Sequence, residues 1–131
     1  MPGRRHAREL AMQALYSIEV GHTEAGEAIA AVVEGVDNTE TRQFVNELVF
    51  GAQTHRATID AEIAPLLRDW SLDRLPIVDL TILRIAFFEL RFCPTTPPVV
   101  VIDEAIEMAK RFSAEESGAF INGVLARVIA P

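Results

Sequence analysis

The sequence has little of what secreted and membrane proteins require. Its 131 residues include one cysteine, Cys93, so no internal disulfide can form, which is usual in a reducing cytoplasm. The longest stretch without a charged residue runs for 11 residues from Phe92 to Ile102 and contains three prolines, which excludes a transmembrane helix. The N terminus leads into no apolar run that ends in small residues, which argues against a secretory signal. We therefore expect a cytoplasmic protein.

Residue patterns typical of catalysis are also scarce. The three histidines, His6, His22 and His55, are scattered and have no partner at the spacing of metal ligands. A glycine-rich phosphate loop is absent. Cys93 has Arg91 as its one basic neighbour and precedes a proline, which favours a buried thiol over a nucleophile. We expect no metal, no cofactor and no enzymatic activity.

Positive charge is sparse and unevenly distributed. The composition, 50% hydrophobic and 24% charged, is that of an ordinary globular protein and excludes a wholly disordered chain. The net charge is −7, yet Arg4, Arg5 and Arg8 lie in the first eight residues and every acidic residue follows them. A cationic arm on an acidic body suggests a polyanionic or acidic partner. A solvated, frayed terminus is the alternative interpretation.

Apolar residues recur at intervals of three and four along nearly the whole chain, which is the spacing of amphipathic helices. A long segment from Pro76 to about Arg91 is apolar over more than half its circumference and predicts a central buried helix. Val99 to Ile102 could form a strand, but no second strand is available to pair with it, so we predict a helix that begins at Pro98. The fold class is therefore all-α: one compact bundle of about seven helices, with residues 1–131 as a single domain.

The helix boundaries follow from capping residues and glycines. The first helix is predicted to end near Gly21, and the second to begin at a cap formed by Thr23 and to end around Gly35. Asp37 and Glu40 form a predicted capping box for the third helix, and the fourth begins around Arg56. Ser113 and Glu116 form a predicted capping box for the last helix.

The first helix has a face suited to RNA. On a helical wheel with Arg4 at zero, the apolar face covers about 240° to 340°, while Arg8, Arg5 and Tyr16 fall at about 40°, 100° and 120°. This placement predicts that the arginines and the tyrosine share one solvent-facing arc. Arginine offers forked donors to phosphate oxygens, and an aromatic ring can stack on an unpaired base. The equally weighted alternative is that Tyr16 and Met12 form the edge of the core.

The last helix repeats this combination of an aromatic ring and a cation. Phe120 lies about 100° from Ile121, which is on the core face, and Arg127 lies on the same flank. Gly123 in the middle of this helix costs about 1 kcal/mol relative to alanine, which predicts a close helix crossing or backbone contact there.

Four ordered segments carry a resemblance to a known family: residues 4–16 (RRHARELAMQALY), 82–90 (ILRIAFFEL), 103–110 (DEAIEMAK) and 120–125 (FINGVL). Together they resemble the bacterial antitermination factor family NusB over nearly the whole chain. His6 stands where an arginine is common in that family.

The resemblance implies a non-enzymatic, all-helical domain that binds boxA-type single-stranded RNA together with the ribosomal protein NusE. Such a complex helps to assemble an RNA polymerase that resists termination, notably on ribosomal RNA operons. The matching positions, together with Tyr16 from the helical wheel, are Arg4, Arg5, Arg8, Gln13, Tyr16, Arg84, Phe120 and Asn122 for RNA, and Asp79 and Glu116 for NusE.

Two alternatives stay open at this point. One is a structural or self-associating helical module, with the long apolar helix at a homodimer interface. The other is a stand-alone relative of the N-terminal domain of ribosomal RNA cytosine methyltransferases. These residues contain no nucleotide-binding βαβ unit, so we expect no methyl transfer from them.

The arm yields a direct prediction. Replacing Arg4 and Arg8 together by alanine should weaken RNA binding and lower its salt dependence, because fewer phosphate contacts release fewer counterions. The variant should still fold. Titrations at several salt concentrations with the protein partner present measure both effects, and an unchanged RNA affinity would count against the site.

Overall fold

The computed structural model describes residues 2–68 and 71–129, and all regular structure within them is helical. Two short 3-10 helices, Ala64–Leu66 and Leu72–Arg74, follow the fourth α-helix. The all-α prediction of about seven helices is confirmed, and the segment from Val99 to Ile102 is helical. The seven are α1 (Pro2–Gly21), α2 (Ala25–Val33), α3 (Thr39–Thr54), α4 (Arg56–Ile63), α5 (Ile77–Phe92), α6 (Pro98–Phe112) and α7 (Ser117–Ile129).

The chain divides into two compact units, Met1–Thr54 and His55–Pro131. We call them the N-terminal and the C-terminal unit. That residues 1–131 form one domain stays a prediction.

The N-terminal unit is a three-helix arrangement in which α1 packs against both α2 and α3. Its core is built from the apolar faces that the helical spacing predicts. At the start of α1, a Cβ atom on Gly3 would lie 2.5 Å from the Oγ1 atom of the buried Thr41 on α3. The absence of a side chain at Gly3 therefore permits the close approach of the two helices. The buried apolar residues are Ala7, Leu10, Ala11, Met12, Ala14 and Leu15 of α1, Ala28, Ile29 and Val33 of α2, and Phe44, Val45, Leu48, Val49 and Ala52 of α3.

The C-terminal unit is organised around α5, which packs against α4, α6 and α7. Ile82, Leu83, Ile85 and Phe87 are fully buried, and each such side chain contributes about 1.5–3 kcal/mol on leaving water. The prediction of a central buried helix is confirmed. The chain itself covers these residues, and a homodimer formed through this helix stays a prediction.

The predicted N-caps of α2 and α3 are each displaced by one residue. Glu24, not Thr23, caps α2: its carboxylate accepts backbone N–H bonds from Gly26 at 2.8 Å and Glu27 at 3.3 Å. Asn38, not Asp37, caps α3 through a 3.0 Å bond from the backbone of Thr41 to its Oδ1 atom. Either neighbour supplies an oxygen that can cap a helix, so composition alone does not select the residue.

The predicted capping box of Ser113 and Glu116 is wrong. Ser113 is the C-terminal cap of α6, and α7 begins at Ser117. The Ser113 hydroxyl donates to the carboxylate of Asp79 on α5 instead. The serine side chain therefore joins two helices rather than capping a third.

The predicted close crossing at Gly123 is also wrong, since a Cβ atom there would meet nothing within 4 Å. Gly118 of α7 is the glycine that faces α6: a Cβ atom there would be in ordinary van der Waals contact with Lys110 Cγ at 3.5 Å and Ile106 Cγ2 at 3.7 Å.

These two environments predict opposite effects of glycine-to-alanine substitution. Gly3→Ala should destabilise the protein by about 1 kcal/mol, because the new methyl group forces Thr41 or the helix to move. Gly123→Ala is the matched control and should stabilise by about 0.5–1 kcal/mol, because alanine favours the helix and has open space. Urea denaturation measures both, and a stabilised Gly3→Ala variant would contradict the close approach.

Candidate nucleic-acid interface

The cations at the start of α1 do not all face solvent. Arg5 is exposed and Arg4 is half-buried, but Arg8 is only 3% exposed and Met12 is buried as well. The prediction that three arginines share a solvent-facing arc with Tyr16 is therefore wrong for Arg8. Because α1 packs against two helices, its buried arc is wider than one apolar stripe and extends over Arg8 and Met12.

Arg4 and Arg8 converge on one aromatic ring. Their guanidinium carbons lie 4.1 Å and 5.6 Å from the ring centroid of Phe44 on α3, within the range of cation–π attraction. A spacing of four residues places both arginines on the same side of α1. The arm is thus the folded first turns of a helix, fixed against α3 by its own cations.

Gln13 and Tyr16 lie further along α1 and are both exposed. Tyr16 exposes 41% of its surface, so its ring is accessible to a stacking partner. Arg5 lies on the same arc of the helix by its spacing. The exposed part of the candidate site in this unit is therefore Arg5, Gln13 and Tyr16, with Arg4 at its border.

Arg84 is committed to an internal ion pair. Its Nε and one terminal nitrogen donate to the two carboxylate oxygens of Asp60, each at 2.9 Å. The two side chains are only 11% and 22% exposed, so the pair is partly shielded from water. An RNA contact by Arg84 would require this bidentate pair to open, and its role in RNA binding stays a prediction.

The closing motif contributes a small groove of about 260 Å³ in the C-terminal unit. Phe120 is half-buried there beside Gly123, and Arg68 and Arg127 line the same groove. Arg127 donates to the backbone carbonyl of Leu66, which holds its guanidinium in place. Asn122 is exposed on the same helix. An aromatic ring beside arginines is a suitable stacking surface for a base. The spacing in α7 predicts Phe120 with Arg127, and the structure adds Arg68.

Asp79 and Glu116, the two predicted partner-binding residues, have different environments. They line one groove of about 300 Å³ with Phe120. Asp79 is 3% exposed and accepts hydrogen bonds from Ser113 and, at 2.9 Å, from Ser117. Glu116 is exposed. Asp79 therefore joins α5 to the start of α7, whereas Glu116 presents a charge to solvent.

Sequence reasoning missed three features of these surfaces: the ring of Phe44 beneath two arginines, the Asp60 partner of Arg84, and Arg68 beside Phe120. Helical periodicity places Phe44 on the apolar face of α3, but it does not reveal which ring lies under which cation. Asp60 and Arg84 are on different helices, and no local spacing connects them.

The described parts of the chain contain no cluster of three side chains that could hold a metal ion. None of the helices in residues 2–68 and 71–129 is long and apolar enough to cross a bilayer.

The fold and these surfaces define an all-α protein with arginine and aromatic side chains presented from helices. The chain belongs to the NusB family, whose model matches residues 5–130.

Relatives and solved structures agree with this assignment. The chain is 46% identical over 126 residues to the transcription antitermination protein NusB of Syntrophus aciditrophicus (strain SB), covering 95% of this chain and 78% of the relative. It is 45% identical to the NusB protein of Exiguobacterium sp. (strain ATCC BAA-1283 / AT1b), covering 96% of each.

Similar structures include a chain in the crystal structure of antitermination factors NusB and NusE in complex with dsRNA, with a TM-score of 0.90, 32% identity and coverage of 98% of this chain and 96% of the other. T. maritima NusB has a TM-score of 0.90 at 34% identity, covering 95% of this chain and 89% of the other.

The contrast between Asp79 and Glu116 is testable. Asp79→Ala should lower the free energy of unfolding by about 1–3 kcal/mol, because the hydroxyls of Ser113 and Ser117 lose their shared acceptor and can then bond only to each other. Glu116→Ala, the control, should change it by less than about 0.5 kcal/mol, as expected of an exposed side chain. Urea denaturation followed by circular dichroism compares them. Equal stabilities would show that Asp79 does not hold the helices together.

Proposed function

We propose that this protein is a transcription antitermination factor that binds boxA-type single-stranded RNA together with a NusE-type ribosomal protein. It acts without catalysis, in the cytoplasm, as part of an RNA polymerase complex that resists termination. The relatives named as antitermination proteins support this proposal, as does the likeness to the NusB chain in complex with NusE and dsRNA.

The observation that carries the proposal is the surface of α1, where Arg4, Arg5, Gln13 and Tyr16 combine guanidinium groups, an amide and an accessible ring. Phosphate oxygens accept from the arginines, and an unpaired base stacks on the tyrosine. Phe120 and Asn122 provide a second set of RNA contacts. Arg8 acts from the interior, beside Phe44, rather than by touching phosphate. For Arg8, the prediction that the double arginine variant loses a phosphate contact and keeps its fold is therefore wrong, and Arg4 alone is the informative substitution.

The charge distribution explains why a protein partner is needed. The net charge is −7, so few cations are available for phosphate and the electrostatic attraction to RNA is weak. A basic ribosomal protein can dock at the exposed carboxylate of Glu116 and add phosphate contacts of its own. Asp79 stabilises that surface by accepting hydrogen bonds from Ser113 and Ser117.

The decisive experiment is a titration of boxA-type RNA and a scrambled RNA of equal length, with and without NusE. We expect a preference for the boxA-type sequence and an affinity at least about tenfold higher when NusE is present, which corresponds to about 1.4 kcal/mol. Absence of sequence preference in both conditions would contradict the proposal.

Single variants locate the site in the same assay. Arg4→Ala should weaken binding and reduce the salt dependence, because it removes a phosphate contact. Arg42→Ala changes the net charge equally at an exposed position of α3 and serves as the control. Equal losses in the two variants would indicate a general charge effect rather than a site.

A further inference from the structure

Phe44 lies at the border between the core and the candidate RNA surface. The residue is 5% exposed, and its ring is covered by the guanidinium of Arg4 at 4.1 Å. Arg8, which is itself 3% exposed, lies 5.6 Å from the centroid of the same ring. Phe44 is therefore a core residue whose ring contacts a cation of the candidate site.

We propose that Phe44 is a positioning residue that holds the guanidinium of Arg4 ready to bind RNA phosphate. This inference rests on the proposed function and extends it to a residue that does not itself touch RNA. Stacking engages the flat face of a guanidinium and leaves its N–H donors directed outward in the plane. A donor set fixed in this way loses less freedom on binding than a mobile side chain does.

The neighbouring carboxylates explain why a ring is needed. Glu40 and Glu47 line a groove of about 270 Å³ together with Arg4 and Phe44. A guanidinium released from the ring would be attracted to these acids, and its donors would then be occupied by the protein itself. The attraction between the Arg4 guanidinium and the Phe44 ring competes with pairing between Arg4 and these carboxylates.

The backbone favours the same arrangement. Gly3, the residue before Arg4, approaches Thr41 closely enough that a Cβ atom would collide with it. Asn38 caps the start of α3 and fixes the turn that precedes Phe44. Both contacts hold the first turn of α1 over the ring. The Arg4 side chain therefore loses little conformational freedom when it contacts Phe44.

The sharpest test lowers the electron density of the Phe44 ring while its shape stays nearly constant. Phe44 is replaced by mono-, di- and trifluorinated phenylalanine through nonsense suppression, since fluorine withdraws electron density and weakens cation–π attraction. Phe44→Leu is the simpler variant, but it removes a buried ring and can fail to fold. The affinity for boxA-type RNA is measured with NusE present.

We expect the affinity to fall stepwise along the series, by about three- to tenfold for the trifluorinated residue. The same series in an Arg4→Ala background is the control and should lose most of this dependence, because only the more distant guanidinium of Arg8 then remains near the ring. Equal losses in both backgrounds would assign the effect to packing and overturn the proposal. An unchanged or increased affinity in the unmodified background would overturn it too.

A measurement without RNA separates this inference from the proposed function. In the free protein, the side-chain N–H resonances of Arg4 should be shifted upfield by the ring current and move back toward random-coil values as fluorine is added. If these shifts are present and fluorination leaves RNA affinity unchanged while Arg4→Ala lowers it, the proposed function stands and the positioning role fails. If the unmodified protein shows no preference for boxA-type RNA, both fail.

Discussion

The close approach of α1 to α3 is the constraint on which the candidate RNA surface depends. Gly3 has no side chain where Thr41 leaves no room for one, and alanines along α1 allow neighbouring helices to pack tightly. This approach brings Arg4 and Arg8 to Phe44. The cationic arm is therefore part of a folded helix, and its affinity for an anion is coupled to the stability of the N-terminal unit.

The C-terminal unit uses its cations differently. Arg84 is paired with Asp60, Arg91 with Glu62 at 2.8 Å, and Arg127 donates to a backbone carbonyl. Guanidinium groups held in such pairs offer less net charge to a polyanion than unpaired ones. A chain of net charge −7 that also uses arginines internally has little electrostatic attraction left for RNA. Under the proposed function, recognition then depends on a few well-placed groups and on the protein partner.

The helices could be predicted because the signal for them is local. Periodic apolar residues, and prolines and glycines at the boundaries, mark every α-helix to within a few residues. Burial of Arg8 could not be predicted, because a helical wheel assumes one buried stripe and α1 packs against two helices. The pair of Asp60 with Arg84, and the contact of Ser113 with Asp79, join residues far apart in sequence. Only the tertiary structure brings them together.

Family resemblance assigned Asp79 and Glu116 to the same role, but burial separates them. Asp79 accepts bonds from two serines and faces the helix junction, whereas Glu116 faces solvent. A buried, satisfied carboxylate cannot bind a partner directly without leaving hydroxyl groups unpaired, which costs about 1–3 kcal/mol. In the proposed docking surface its contribution is therefore the placement of α7, which carries Phe120 and lines the groove beside Glu116. A motif match alone therefore does not define the physical role of a residue such as Asp79, because that role depends on its hydrogen-bond partners.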